Sequence, residues 1–209
     1  MNKNPEQCFE ACSNCGECCR IPGIFLPREV DPLGSYLGLD RKELFRRYLI
    51  AELFAPNAAS PPVFVISPVK TRSSGERCDH FLSDHAYAHD LKQQCIFRDP
   101  QARSCTIYGV KPFGCSMLMC GKMTKAGPLL LRKTYYYHQW SRSQHILFSV
   151  FPALEEVYQR LLNAVMERTG DKGERTAALM RGNEIIGVEI AGILNGRAEM
   201  SEPFYRTQR

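Results

Sequence analysis

Four cysteines fall close together near the start of the chain: Cys12, Cys15, Cys18 and Cys19. Thiolates are strong ligands for zinc, for iron–sulfur clusters and for copper(I). A Cys-x2-Cys spacing puts two sulfurs on one tight turn, where both can reach the same centre. Gly16 gives that backbone the freedom to curl. Cys18 and Cys19 are adjacent, and adjacent side chains diverge in extended and helical backbone alike. They either serve two neighbouring centres or leave one thiol spare. A second set follows much later: Cys78, Cys95, Cys105, Cys115 and Cys120. Cys8 and Cys120 sit in no ligand pair and read as small buried side chains.

The chain has 209 residues and 10 cysteines. Met1 to Gln7 contains no apolar stretch, so the expectation is a cytoplasmic chain without a secretory leader, whose thiols stay reduced. Clustered cysteines in that setting read as metal ligands or redox groups rather than disulfides. No run approaches the ~20 apolar residues of a membrane span, so no membrane partner is expected. Hydrophobic residues make up 44% of the chain, enough for a real core, and the 23% charged residues contain no long low-complexity tract. Wholesale disorder is therefore excluded.

The formal charge of +5 counts every cysteine as neutral. Eight thiolates around two dipositive centres would bring the balance down to roughly +1, which removes most of the apparent basicity. With no basic, aromatic-interleaved repeat either, nucleic acid is not an expected partner. Thiolate ligands call for nearby positive charge, and Arg20, Arg98, Arg103, Lys111 and Lys122 are close in sequence. Lys111 could neutralise such a centre or simply be a solvated surface lysine. His80, His85 and His89, with Asp79, Asp84 and Asp90, form a separate group. His85 and His89 would share a helix face, but such spacing is common, and a polar exposed helix is the preferred reading. No dinucleotide fingerprint, phosphate-cradling loop or nucleophile elbow is present, so no reaction is legible.

The elements that must position these cysteines are partly readable. Asp40 suits an N-cap, and Glu43 three residues on completes a capping-box-like pair. Leu44, Phe45, Tyr48, Leu49 and Leu53 then predict a helix from Asp40 to about Phe54, ended by Pro56 and Asn57. A shorter helix is expected from Pro27 to Leu37, limited by Pro32. Val63 to Ile66 reads as a strand, Asp84 to Gln94 as a helix and Leu129 to Tyr137 as a strand. The aromatic run Tyr135 to Trp140 fits a half-buried strand better than a substrate groove. Pro152 opens an amphipathic helix through Leu154, Val157, Tyr158, Leu161, Leu162 and Val165, closed by Gly170. From Glu184 to Leu194 helix and strand readings compete.

Taken together, Cys12-x2-Cys15-Gly16-x-Cys18-Cys19, Cys95-Ile96-Phe97, Cys105-Thr106-Ile107-Tyr108, Lys111-Pro112 and Cys115 resemble the CxxCxxCC family of cysteine-cluster proteins. That family is described as zinc- or iron-chelating. The likeness covers about residues 12–120, and the segment from Glu29 to Leu49 resembles the family's helical insert. Two departures stand out: Lys111-Pro112 replaces the usual Arg-Pro, and Ser116 stands where an arginine often follows the last cysteine. Cys78-Asp79-His80-Phe81-Leu82 and Cys95-Ile96-Phe97 compete for the family's Cys-x-Phe role. The resemblance implies a ligand set of Cys12, Cys15, Cys18, Cys19, Cys78, Cys95, Cys105 and Cys115. Some larger proteins with this type of motif are described as flagellin lysine N-methylases thought to carry an iron–sulfur centre. An iron–sulfur centre of the 4Fe–4S type, with a redox, electron-transfer or peptide-modification role, is therefore the leading expectation. A zinc-stapled structural or interaction module is the rival. Metal ions, and a protein or peptide, are the implied partners.

The expected fold is α+β and helix-rich, a single compact domain around a cysteine-ligated metal core. Residues 1–128 form the cysteine-cluster part with a helical insert at about 21–77. Residues 129–209 add a strand and C-terminal helices.

Overall fold

The protein was analysed as a computed structural model, which describes residues 17–20, 22–57, 59–71, 77–78, 94–117, 126–167, 173–174, 177–179 and 181–182. The described residues mix helices with small antiparallel sheets, an α+β architecture.

A short helix α1 (Glu17–Arg20) leads through Pro22 and Gly23 to a 3-10 turn at Pro27–Glu29. This turn runs directly into α2 (Val30–Leu37), so Pro32 sits in the first turn, where its missing N–H costs nothing. Gly38 ends α2 in the left-handed conformation (φ 67°), which glycine adopts without strain. Helix α3 (Arg41–Arg47) starts where expected: the Asp40 carboxylate accepts the Glu43 N–H at 2.8 Å. Glu43 itself pairs with Arg46 and Arg47, at 2.9 and 3.0 Å.

The predicted helix to Phe54 stops early. Residues Leu49–Phe54 form strand β1, paired antiparallel with β2 (Val63–Pro68) from Leu49↔Pro68 to Phe54↔Val63. Leu49 and Leu53 fit a helical stripe, but with Ala51 they also fit an alternation of period two. All three are buried. Pairing with β2 decides between the two patterns, as tertiary contacts override propensity.

Strand β2 is buried along its whole length, which explains its unbroken apolar run. On one edge it meets β1. On the other, Phe25 donates its N–H to Ile66 O at 2.8 Å, and the Gln144 side chain pairs with both the N–H and the carbonyl of Phe64 at 2.9 Å. An amide side chain here supplies the two hydrogen bonds that another strand would have made.

The stretch Leu129 to Tyr137, read above as a strand, is helical, lying within α5 (Ala126–Ser141). Tyr136 and Trp140, four residues apart, are both buried, and Tyr135 is exposed. That is a helical face, and it lies across β2. Tyr136 and Trp140 of the aromatic run thus form the inner stripe of a helix. Trp140 is fully buried and its indole N–H donates to Phe25 O at 2.8 Å. A short α6 (His145–Phe148) turns the chain into α7 (Ala153–Met166), which follows Pro152 as expected. Leu154, Val157, Tyr158 and Leu161 face the core, and the Tyr158 hydroxyl donates to Pro62 O at 2.6 Å. Phe64, Phe148 and Tyr158 form an aromatic cluster with centroid separations of 5.0 to 6.1 Å.

The remaining strands are two residues long: β3 (Lys70–Thr71), β4 (Arg77–Cys78), β5 (Gln94–Cys95), β6 (Arg98–Asp99) and β7 (Ser104–Cys105). The first three form a sheet in the order β4-β3-β5, and β6 pairs with β7. A 3-10 turn at Tyr108–Val110 and helix α4 (Phe113–Met117) follow. The expected helix from Asp84 and the competing readings from Glu184 lie outside the described residues.

Candidate metal centre

Cys12, Cys15, Cys8 and Cys120 lie outside the described residues, as do His80, His85 and His89. Cys18 and Cys78 are described by their backbones, on α1 and β4. Cys19, Cys95, Cys105 and Cys115 are described in full.

Cys19 ends up buried because α1 packs against β5, the strand that carries Cys95, itself buried. The end of the first cysteine packet is thereby brought to the second. Arg98 joins them further. Its Nη1 lies 3.9 Å from Cys19 Sγ, a long charge-assisted contact, and its backbone stands directly opposite Cys105 in the β6–β7 pair.

The β6–β7 hairpin has its own local logic. The Asp99 carboxylate accepts the N–H groups of Gln101 and Ala102, at 2.8 and 2.9 Å. Such side-chain caps are how aspartate stabilises turns. Arg103 adopts φ 52°, the left-handed residue that closes the loop. Thr106 then returns two hydrogen bonds to Phe97 O, at 2.9 and 3.1 Å, and buried Phe97 stacks on Tyr48 with centroids 5.2 Å apart. Cys95 and Cys105 are thus held at the two ends of a folded unit with its own small apolar anchor.

Cys115 is positioned by a close backbone crossing. The Gly23 N–H donates to Cys115 Sγ at 3.1 Å. A Cβ on Gly23 would collide with the backbone of Gly114 and Cys115; one on Gly114 would meet the Gly23 backbone and the Tyr136 hydroxyl. Only glycine at both places lets the two chains approach closely enough for that N–H···S contact. Glu29 fastens the same junction. Its carboxylate accepts the Leu26 N–H at 2.7 Å and the Phe113 N–H at 3.0 and 3.1 Å. Pro112 contributes its carbonyl to the Cys115 N–H at 2.9 Å.

Lys111, considered above as a neutraliser of thiolate charge, sits over the Tyr108 ring with its ammonium 4.0 Å from the centroid. It stacks on the turn between Cys105 and Cys115. Arg98, from the same basic set, reaches the sulfur of Cys19. Sequence reasoning passed over Glu29 as a clamp, the Gly23–Gly114 crossing and Lys70. Lys70 is 3% exposed and stands opposite both Cys78 and Cys95 in the three-stranded sheet. A lysine next to an apolar strand was the available signal, but only strand pairing reveals its neighbours.

Among the described residues, no three histidine, cysteine, aspartate or glutamate side chains gather closely enough to hold a metal ion. The described sulfurs are soft donors, and those of Cys19 and Cys115 have N–H partners, a chemistry that suits zinc or an iron–sulfur centre. Among the described residues no helix is long and apolar enough to cross a membrane.

The family model for CxxCxxCC, described as "Putative zinc- or iron-chelating domain", matches residues 11–126. That is more than half of the chain, and the chain belongs to this family. Its description supports metal binding, with zinc and iron both covered. No curated protein and no solved structure matches the chain.

Proposed function

We propose that the two cysteine packets form one metal core, with Cys12, Cys15, Cys18, Cys19, Cys78, Cys95, Cys105 and Cys115 as its ligands. The observation that carries this reading is the docking of α1 on β5, with Arg98 reaching Cys19 from the strand paired to Cys105. The end of the first packet, Cys18 and Cys19, lies on α1 against the second, and the Gly23–Gly114 crossing brings Cys115 towards the residues that follow it. Eight ligands exceed the four of one tetrahedral ion or one cubane cluster, so two neighbouring centres fit the set better than one.

The centre is an iron–sulfur centre of the 4Fe–4S type, serving electron transfer, a redox step or the modification of a protein or peptide. Closely spaced thiolates on a glycine-containing loop favour a cluster over a zinc ribbon built from two separated pairs. When bound, such a cluster supplies one-electron chemistry. The chain's own residues supply N–H donors to sulfur at Gly23 and Arg98, and the protein core formed by β1, β2, α5 and α7 backs the site. Residues 1–128 carry the ligands and the remainder braces them. The cytoplasm, where thiols stay reduced, is the compartment that fits. The zinc reading has one observation in its favour: the family description names zinc beside iron. In that case the metal is a structural staple and the chain an interaction module.

Anaerobic purification followed by metal and acid-labile sulfide analysis with an absorption spectrum separates the two. A brown protein with matching iron and sulfide is expected. A colourless protein with stoichiometric zinc and no sulfide would sink the iron–sulfur assignment.

A further inference from the structure

Glu29 accepts hydrogen bonds from two stretches of chain that are far apart in sequence. Its Oε2 takes the Leu26 N–H at 2.7 Å and the Phe113 N–H at 3.1 Å, and its Oε1 takes the same Phe113 N–H at 3.0 Å. The bond to Leu26 is a local cap of the 3-10 turn at Pro27–Glu29. That cap does not call for Phe113, which lies 84 residues away. The second bond fastens the turn before Cys115 to residues 22–26, the strap that follows α1.

The strap is itself well anchored. It begins beside α1, which carries Cys19 and packs on β5. Further on, Phe25 donates to Ile66 O and accepts the Trp140 indole N–H, which ties it to β2 and α5. Between these points the Gly23 N–H donates to Cys115 Sγ at 3.1 Å. Sulfur is a weak acceptor, so that contact cannot hold the turn in place by itself. The Cys115 N–H goes to Pro112 O, a bond internal to the turn. The bond from Phe113 to the Glu29 carboxylate is charge-assisted, roughly twice as strong as a neutral one. It joins turn to strap two residues before Cys115.

We propose that Glu29 is the positioning residue of Cys115: by holding the Phe113 N–H it seats the Cys115 sulfur beside the strap that follows Cys18 and Cys19, and so admits Cys115 to the metal core. The inference rests on the metal-binding reading above and adds to it a residue outside the ligand set.

The test uses the full chain, stripped of metal and titrated with Co2+. The sulfur-to-cobalt charge-transfer intensity at saturation reports how many sulfurs each ion holds. Glu29→Ala removes both acceptors; Glu29→Gln keeps one oxygen, able to take both N–H groups as Oε2 does. In Glu29→Ala the intensity per cobalt is expected to fall to that of Cys115→Ser. Co2+ affinity should drop by about 10- to 100-fold, the usual loss when a partner behind a ligand is removed. Glu29→Gln should recover most of both. A role in stability alone would lower the melting temperature of metal-free Glu29→Ala and leave its intensity per cobalt at the wild-type level, which overturns the proposal. Wild-type intensity in Cys115→Ser would overturn it too, because Cys115 is then no ligand. Absence of Co2+ binding by the wild type would instead refute the metal reading itself. If Glu29→Ala does not fold, amide exchange in the wild type decides. Coupling between two sites is reciprocal, so Zn2+ should slow exchange of the Leu26 and Phe113 amides, and unchanged rates contradict the proposal.

Discussion

Strands β1 and β2 pair over six residues each, whereas β3 to β7 are two residues long. The first region is closed by apolar side chains: Phe64, Ile66, Leu147, Phe151 and Trp140 are all fully buried. Burying such side chains contributes roughly 1.5–3 kcal/mol each before entropy is counted. The second region carries Lys70, Arg98, Cys78, Cys95 and Cys105, and its strands are too short to stand on backbone pairing alone. The difference teaches that the two regions answer to different forces. One is a hydrophobic core that holds its shape by packing. The other is a set of short pairings that carries sulfur, and on the proposed reading its rigidity depends on the metal bound there.

Metal removal breaks the comparison most sharply. Amide exchange of residues 94–105 should speed up about 100-fold or more when a chelator strips the protein, because binding energy at thiolate sites is folding energy there. The amides of β1 and β2 should change little. Uniform acceleration across both regions would show that they are one cooperative unit.

Trp140→Ala attacks the other side. It empties the space under α5 and removes the hydrogen bond to Phe25 O, at a cost of about 3–5 kcal/mol. Urea unfolding should show the loss with and without metal, since Trp140 serves the apolar region.

Gly114→Ala tests the seam between the regions. Its methyl group meets the Gly23 backbone and the Tyr136 hydroxyl, so Cys115 must move away from the Gly23 N–H. Overpacking of this kind costs about 1–3 kcal/mol, and metal affinity should fall together with thermal stability. A change in stability with unchanged metal affinity would remove Cys115 from the ligand set.

Tyr158→Phe has the smallest expected effect, about 1 kcal/mol for the hydrogen bond to Pro62 O. It also has a pH signature. Burial, and secondarily Tyr137, pushes the Tyr158 hydroxyl up to about 12. The unfolded chain ionises at the ordinary tyrosine value of 10.0, so the contribution is fully present below that pH and is lost as pH rises towards 12. The variant should therefore show a shallower alkaline decline, measured by thermal melts from neutral to strongly alkaline pH.

Much of the apolar region was legible in the sequence, and the failures there are instructive. Asp40 announced α3 and Pro152 announced α7, because a cap and a proline act locally. Leu49 to Phe54 was misread because residues 49 and 53 satisfy both a helical and an alternating pattern, and only β2 chooses between them. Leu129 to Tyr137 was misread because aromatic residues favour strands in general, while here Tyr136 and Trp140 needed one face of a helix to reach Gly114 and Phe25. The cysteine motif was legible as chemistry, since spacing alone places sulfurs on a turn. Its surroundings were not. The pairing of Lys70 with Cys95, the reach of Arg98 to Cys19 and the Glu29 clamp on Phe113 span long sequence separations that no local pattern encodes.

The central claim is that the first and second cysteine packets share one metal core. Metal stoichiometry of Cys15→Ser and Cys95→Ser, each purified anaerobically beside the wild type, tests it most directly. The account predicts that each single substitution lowers the metal content of the shared core. Full metal content in either variant would contradict it.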